Sequence, residues 1–305
     1  MIRLAAFLVS LLGAWPAAAE GLLPIQSLTP DTFRAVMKAA SASGLGGVIN
    51  VGPGTYVDVR LPSVSYKFAQ PVILKCDPAA RFGSLYLAFV ENVTFDGCTF
   101  TGRLELPGAK RVTVSHGTFI GTGVKVNGGE DIVVADSTFL APSAAVALLD
   151  VARSTVTRNM VWDYAGNAAF SAYGGSDPTF TYNALVGWRL PAAGVHMDAF
   201  QTANRIKGKV TMSFNLAILP GQAFFGGADA DAVEYVGNTA LISFPNGFTW
   251  KSRTPALIKD NRLADLPGQP PGGARFMNYG LVQLIGVPAA DGGGNTVNGR
   301  PVAVK

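Results

Sequence analysis

The sequence predicts an all-β chain wound into a single-stranded parallel β-helix, and three observations predict it. First, a short motif recurs with one register position at Cys98, Gly117, Ser137, Asn159, Asn183, Asn215, Asn238 and Asn261, in steps of 19, 20, 22, 24, 32, 23 and 23 residues. Second, the flanking positions keep their character. Phe95, Val114, Val134, Val156, Phe180, Met212, Tyr235 and Ile258 stand three places earlier, and Phe100, Phe119, Phe139, Val161, Leu185, Ala217, Ala240 and Leu263 two places later, all apolar. Third, the segment ahead of the repeats reads as one amphipathic helix. A β-branched and aromatic pattern of this period describes one coil of a solenoid. Leucine-rich repeats share the period, but their leucine spacing and helical segment are absent.

At the N-terminus, residues 1–19 carry a single positive charge at Arg3, an apolar run to Leu12, and small residues at Ala17 and Ala19. That is the layout of a secretory signal peptide cleaved before Glu20. Gly13 and Pro16 interrupt the run short of a bilayer span. The expectation is a secreted or periplasmic protein whose residues 20–305 form one β-helix domain.

Next, a helix is expected over 30–43. Thr29 would cap it, Pro30 would take its first position, and Gly44 would end it. Phe33, Val36, Met37 and Ala40 make one apolar stripe. Such a helix would cover the open end of the solenoid and its unpaired edge. In the coils that follow, stacking at about 4.8 Å turns each sequence column into a ladder. Asparagine suits a tight corner because it tolerates left-handed backbone angles and its amide can bond to its neighbour one coil away. Cys76 and Cys98, 22 residues apart, read either as a disulfide between coils or as two stacked buried thiols.

A second register lies beyond the corner. Phe170, Phe200, Phe224 and Phe248 recur at 30, 24 and 24 residues as an internal stack. Ser171, Gln201, Phe225 and Thr249 should then face outward, followed by the column Tyr173, Ala203, Gly227 and Lys251. Two further columns, Gly175–Arg205–Asp229–Arg253 and Asp177–Lys207–Asp231–Pro255, alternate in charge. They read as a surface ladder of ion pairs or as the lining of a groove that grips a sugar acid.

With 14% charged residues and a net charge of +4, or +3 once Arg3 is removed, the chain is neither disordered nor polybasic. Nucleic acid is not an expected partner, no later stretch spans a membrane, and a monomer is expected. No cofactor is required. Asp229 and Asp231 in "ADAD" are a fair start for Ca²⁺ without enough further oxygen ligands.

The repeat and the segment "LTPDTFRAVMKAASASGLGGVINVGPGTY" resemble the pectate-lyase-like superfamily of right-handed β-helix proteins, over roughly Leu28 to Val304. The resemblance implies a carbohydrate-active, pectin-lyase-like fold. The 32-residue step before Asn215 adds "GWRLPAAGV" ahead of "GVHMDAFQT", and insertions in solenoids project on a binding face. His196, Asp198 and Gln201 in that stretch resemble a His-x-Asp-x-x-Gln signature found in secreted members of the superfamily. The Asn-Thr-Asp, paired aspartates and Gly-His-Gly of polygalacturonases are missing, as is the Asp-Pro-His-Asp of alginate epimerases.

The candidate chemistry is β-elimination on an acidic polysaccharide. His196 would act as base, with Asp198 fixing its tautomer. Arg205, Lys251 and Arg253 would offset the uronate carboxylate. Gln201, Tyr173, Trp188, Arg189, Lys207 and Asp229 would bind the sugar, with Tyr173 protonating the leaving oxygen. Two alternatives stand beside it: a glycoside hydrolase pairing Asp198 with Asp229 or Asp163, and a carbohydrate-binding or surface protein without catalysis. The structural alternative for His196 is a turn closed with Asp198, and His116 reads as structural stacking beside Asp136 and Arg158.

Overall fold

The structure, a computed structural model, describes residues 27–29, 32–61, 66–164, 166–187, 197–219, 221–242, 248–250, 256–265, 282–284 and 290–301. It is a right-handed parallel β-helix. A representative coil runs through a first strand Ala152–Thr157, the corner at Asn159, a short second strand Met160–Trp162 and a third strand Ala168–Tyr173. First and third strands share a 20-stranded ladder, and the second strands form a separate sheet of 12. Every pairing is parallel except the last, where Thr296–Val297 meets Arg300–Pro301 antiparallel and ends the short sheet.

Strand alternation explains the core. Both apolar columns flanking the corner lie inside, from Phe95 to Ile258 and from Phe100 to Leu263, all essentially inaccessible to water. In the N-terminal half the second strands carry Tyr56, Phe82, Phe100, Phe119 and Phe139 stacked ring on ring, with centroids 4.6 to 5.3 Å apart. Offset stacking of this kind adds about 0.5–1.5 kcal/mol per pair beyond burial.

Asn159, Asn183, Asn215, Asn238 and Asn261 form the expected corner ladder, and it runs one rung further to Asn295. From Asn183 onward each Oδ1 accepts two bonds from the preceding rung. Asn215 Oδ1, for instance, takes the Asn183 backbone N–H at 3.0 Å and its amide at 3.1 Å. The second amide hydrogen goes to a first-strand carbonyl, as from Asn215 to Phe180 O at 2.9 Å. Towards the N-terminus, Ser137 and Gly117 continue the chain of bonds. Asn295 escapes the sequence pattern because 34 residues separate it from Asn261.

The backbone reason given for asparagine is corrected. The left-handed residue is the one before it: His116, Asp136, Arg158, Tyr182, Phe214, Gly237, Asp260 and Gly294 have φ between 51° and 73°. The turn bends at that exposed position, which leaves the asparagine free to aim its side chain inward.

The helix spans Phe33–Ser43, with Gly44 left-handed at its end (φ 69°) as expected. Its cap is Thr32 rather than Thr29, so the helix begins three residues later than the pattern implied. The two threonines bond to each other instead: the Thr29 N–H donates to Thr32 Oγ1 at 2.9 Å, and the hydroxyls lie 3.0 Å apart. Phe33, Met37 and Ala40 are buried, and Phe33 packs edge-on against Tyr56 and Phe82. The helix thus closes the first coils.

Of the two readings for the cysteines, the disulfide Cys76–Cys98 is present, with Cα atoms 4.9 Å apart. Cys76 lies one place before the corner rather than on it, since Lys75 pairs with Asp96.

Candidate functional site

The third strands Ala168–Tyr173, Asp198–Arg205 and Gln222–Asp229 lie side by side, with Phe170, Phe200 and Phe224 in register and stacked inside at 5.1 and 5.2 Å. Phe248 continues the register by backbone pairing. Ser171, Gln201 and Phe225 therefore share the opposite face, as the pattern required. Two places further on, the Tyr173 hydroxyl donates to Gln201 Oε1 at 2.5 Å.

Burial pushes the Tyr173 pKa above its ordinary value; the nearby Ser171 side chain pulls it down, and the Asp198 charge raises it again. The net direction is up, so Tyr173 stays a proton donor throughout the neutral range. Tyr164, missed in the sequence because it falls in a turn outside every column, is raised more strongly. Burial is the main cause, followed by Asp198 and Tyr173. Tyr173 and Gln201 are thus one bonded pair, and Asp198 acts electrostatically on both tyrosines.

Asp198 itself is buried, 0% exposed, between Ala168 and Gln222 in the inward column of Phe200. Alternation along a strand turns every second side chain to the core, and no bend rescues this one. That placement corrects its expected role as an accessible catalytic carboxylate. It also withdraws the hydrolase pair with Asp229. Asp198 pairs with Gln222 and Arg205 with Asp229, so the two carboxylates sit seven residues apart on adjacent strands, about 23 Å. Glycoside hydrolysis requires about 5–9.5 Å. Asp163 pairs no better with a carboxylate that substrate cannot reach.

Arg205 is exposed two residues beyond Ala203, the partner of Tyr173, so its backbone lies about 8 Å from that of Tyr173. Its alignment with Asp229 is present, but the alignment of Asp177 with Lys207 is not. Gly174 and Gly175 are both left-handed (φ 75° and 77°), and one extra residue enters the next coil after Ala203. Lys207 consequently bridges to Ser176, not Asp177. Asp177 Oδ1 accepts the Lys209 N–H at 2.9 Å, and Asp231 Oδ2 accepts the Gly208 N–H at 2.7 Å. These aspartates secure turns. Among the described residues no group of three or more His, Cys, Asp or Glu side chains converges as a metal site. His116 bonds Asp96 Oδ1 at 2.7 Å on an exposed corner, a structural contact. His196, Trp188, Arg189, Lys251 and Arg253 lie outside the described residues.

No protein-family model matches this sequence, and no curated protein matches it. Among solved structures, the chain is similar to the mannuronan C-5 epimerase AlgE6 A-module of Azotobacter vinelandii, at 14% identity over 92% of this chain and 98% of that one, TM-score 0.46. It is also similar to a tailspike protein of E. coli bacteriophage HK620 solved with a pentasaccharide, at 12% identity over 88% of this chain and 63% of that one, TM-score 0.48.

Proposed function

We propose that this is a secreted or periplasmic protein that acts on polysaccharide along the outward face of its third strands, as a lyase or related enzyme on acidic chains. The observation that carries the reading is the Tyr173–Gln201 pair. It holds a phenol bonded to Gln201, kept protonated by burial, on the outward columns of a rigid sheet. In β-elimination a uronate carboxylate must be offset so that the C5 proton becomes acidic, a base removes that proton, and an acid protonates the departing oxygen. A neutral tyrosine suits the last task. Gln201 would hold a sugar hydroxyl. His196 remains the proposed base, and Lys251 and Arg253 the groups that offset the carboxylate, on sequence grounds. No cofactor enters the scheme.

The test follows absorbance of the unsaturated product as the secreted protein meets a panel of polyuronates. Tyr173→Phe should lower kcat about 10²–10⁴-fold, the usual worth of general acid catalysis, with little change in binding. His196→Ala should abolish the signal. Turnover that survives both substitutions overturns the mechanism. Binding without turnover in the wild type would make this a carbohydrate-binding protein.

A further inference from the structure

A second feature lies towards the N-terminal end of the same outward face. Asp58, Arg60, Ser84, Tyr86, Arg103 and Glu105 line a groove of about 430 Å³ on three successive coils. That volume lies within the range of small-ligand sites, which is about 300–1,000 Å³. Inside it the Arg60 guanidinium lies over the Tyr86 ring, 4.8 Å from the centroid. A guanidinium held over an aromatic face in this way is restrained by the ring and keeps its five N–H donors.

The other charges in the groove are already engaged. Asp58 Oδ1 accepts the Ser84 N–H at 3.2 Å, and Arg103 faces Glu105 at 3.7 Å. Arg60, by contrast, makes no ion pair among the described residues. A stacked guanidinium with a free edge is pre-organised for the two parallel bonds of a carboxylate. Ser84 beside it offers a hydroxyl to a polyhydroxylated ring.

We propose that this groove binds the carboxylate of a uronate residue, as an anchoring subsite separate from the Tyr173 group. The geometry connects the two. Tyr86 pairs with Glu105, Glu105 with Lys125, Lys125 with Ala147, Ala147 with Ser171, and Ser171 with Gln201. The groove and Gln201 therefore share one outward column, five rungs or about 24 Å apart. A chain of acidic sugars lying along the solenoid axis would reach both, and Lys125 stands on the path between them. The proposal rests on the polysaccharide reading above for its ligand but on different residues for its site.

Calorimetry of the full secreted chain with a saturated hexauronate and with its carboxyl-reduced neutral counterpart tests it. Arg60→Gln should weaken the acidic hexamer tenfold or more and leave the neutral one unchanged; circular dichroism should show the same fold, since Arg60 is exposed. If Arg60→Gln has no effect while Gln201→Ala weakens binding, the groove is overturned and the third-strand site stands. If Arg60→Gln weakens binding while Gln201→Ala does not, the groove stands and the third-strand site falls. Equal affinity of the wild type for both hexamers overturns the uronate subsite, and no binding to either overturns both sites.

Discussion

In the coils up to Ser137, the inside of the second strand is filled by Phe82, Phe100, Phe119 and Phe139, and the corner beside it carries only Cys98, Gly117 and Ser137. Beyond Asn159 the arrangement changes. The second strand shrinks to Val161, Leu185, Ala217 and Ala240, while bulk moves to the first strand at Phe180, Met212 and Tyr235 and to the third at Phe170, Phe200 and Phe224. Edge contacts of 6.1 Å between Phe180 and Phe200 and 6.0 Å between Phe224 and Tyr235 close that core. The corner, meanwhile, becomes a ladder of buried amides. One half of the solenoid is held at this corner by apolar stacking and a disulfide, the other by saturated hydrogen bonding. The lesson is that a coil constrains total interior volume and polar satisfaction, and distributes them freely among its three sides.

The two halves should therefore fail differently. Asn215→Ala has the largest expected effect. It strands the Asn183 backbone N–H, one Asn183 amide hydrogen and a bond to Phe180 O, each a buried group worth about 1–3 kcal/mol, for a loss of about 3–6 kcal/mol. Urea unfolding measures it, and a loss under about 1 kcal/mol would mean the ladder is decoration. Phe119→Ala in the other half should cost about 3–5 kcal/mol through a cavity between Phe100 and Phe139. Its signature would differ, since small apolar ligands should bind the hole and partly restore stability, as they cannot at Asn215.

The smallest effect sharpens the contrast in pH. Burial raises the Tyr235 hydroxyl above its ordinary value of 10.0, and burial with Asp198 raises Tyr164, both in the C-terminal half. A folded pKa above the unfolded one gives stability that is fully present below pH 10 and lost as pH rises through the folded value. Alkaline unfolding followed by circular dichroism should thus begin above about pH 10, and Tyr235→Phe should flatten that limb. A limb unchanged in the variant would place the alkaline weakness elsewhere.

Much of this fold was legible because its signals are local. The two apolar columns, the phenylalanine register and the asparagine corner follow from strand alternation and from residues a fixed few places apart. The left-handed angle was assigned to the wrong residue because sequence marks a corner without saying which of two adjacent positions bends. The site was legible only in part. Tyr173 and Gln201 were both named, but their bond crosses two coils. The groove at Arg60 was invisible, because its residues come from three coils, two of them ahead of the regular repeat, and form no motif.

The sequence by itself determined the period of the coil, which side of each strand faces the core, and the helix that covers the first coils. All of these depend on spacings within one turn of chain. Only the tertiary structure decided which side chains meet along the axis, because that depends on the number of residues spent in every turn between them. One added residue after Ala203 separates Lys207 from Asp177, and an unbroken alternation from Phe200 buries Asp198. Alignment between coils accumulates such differences, so Tyr173 reaches Gln201 and Arg60 reaches Tyr86, while Asp177 and Lys207, aligned in the sequence, come apart.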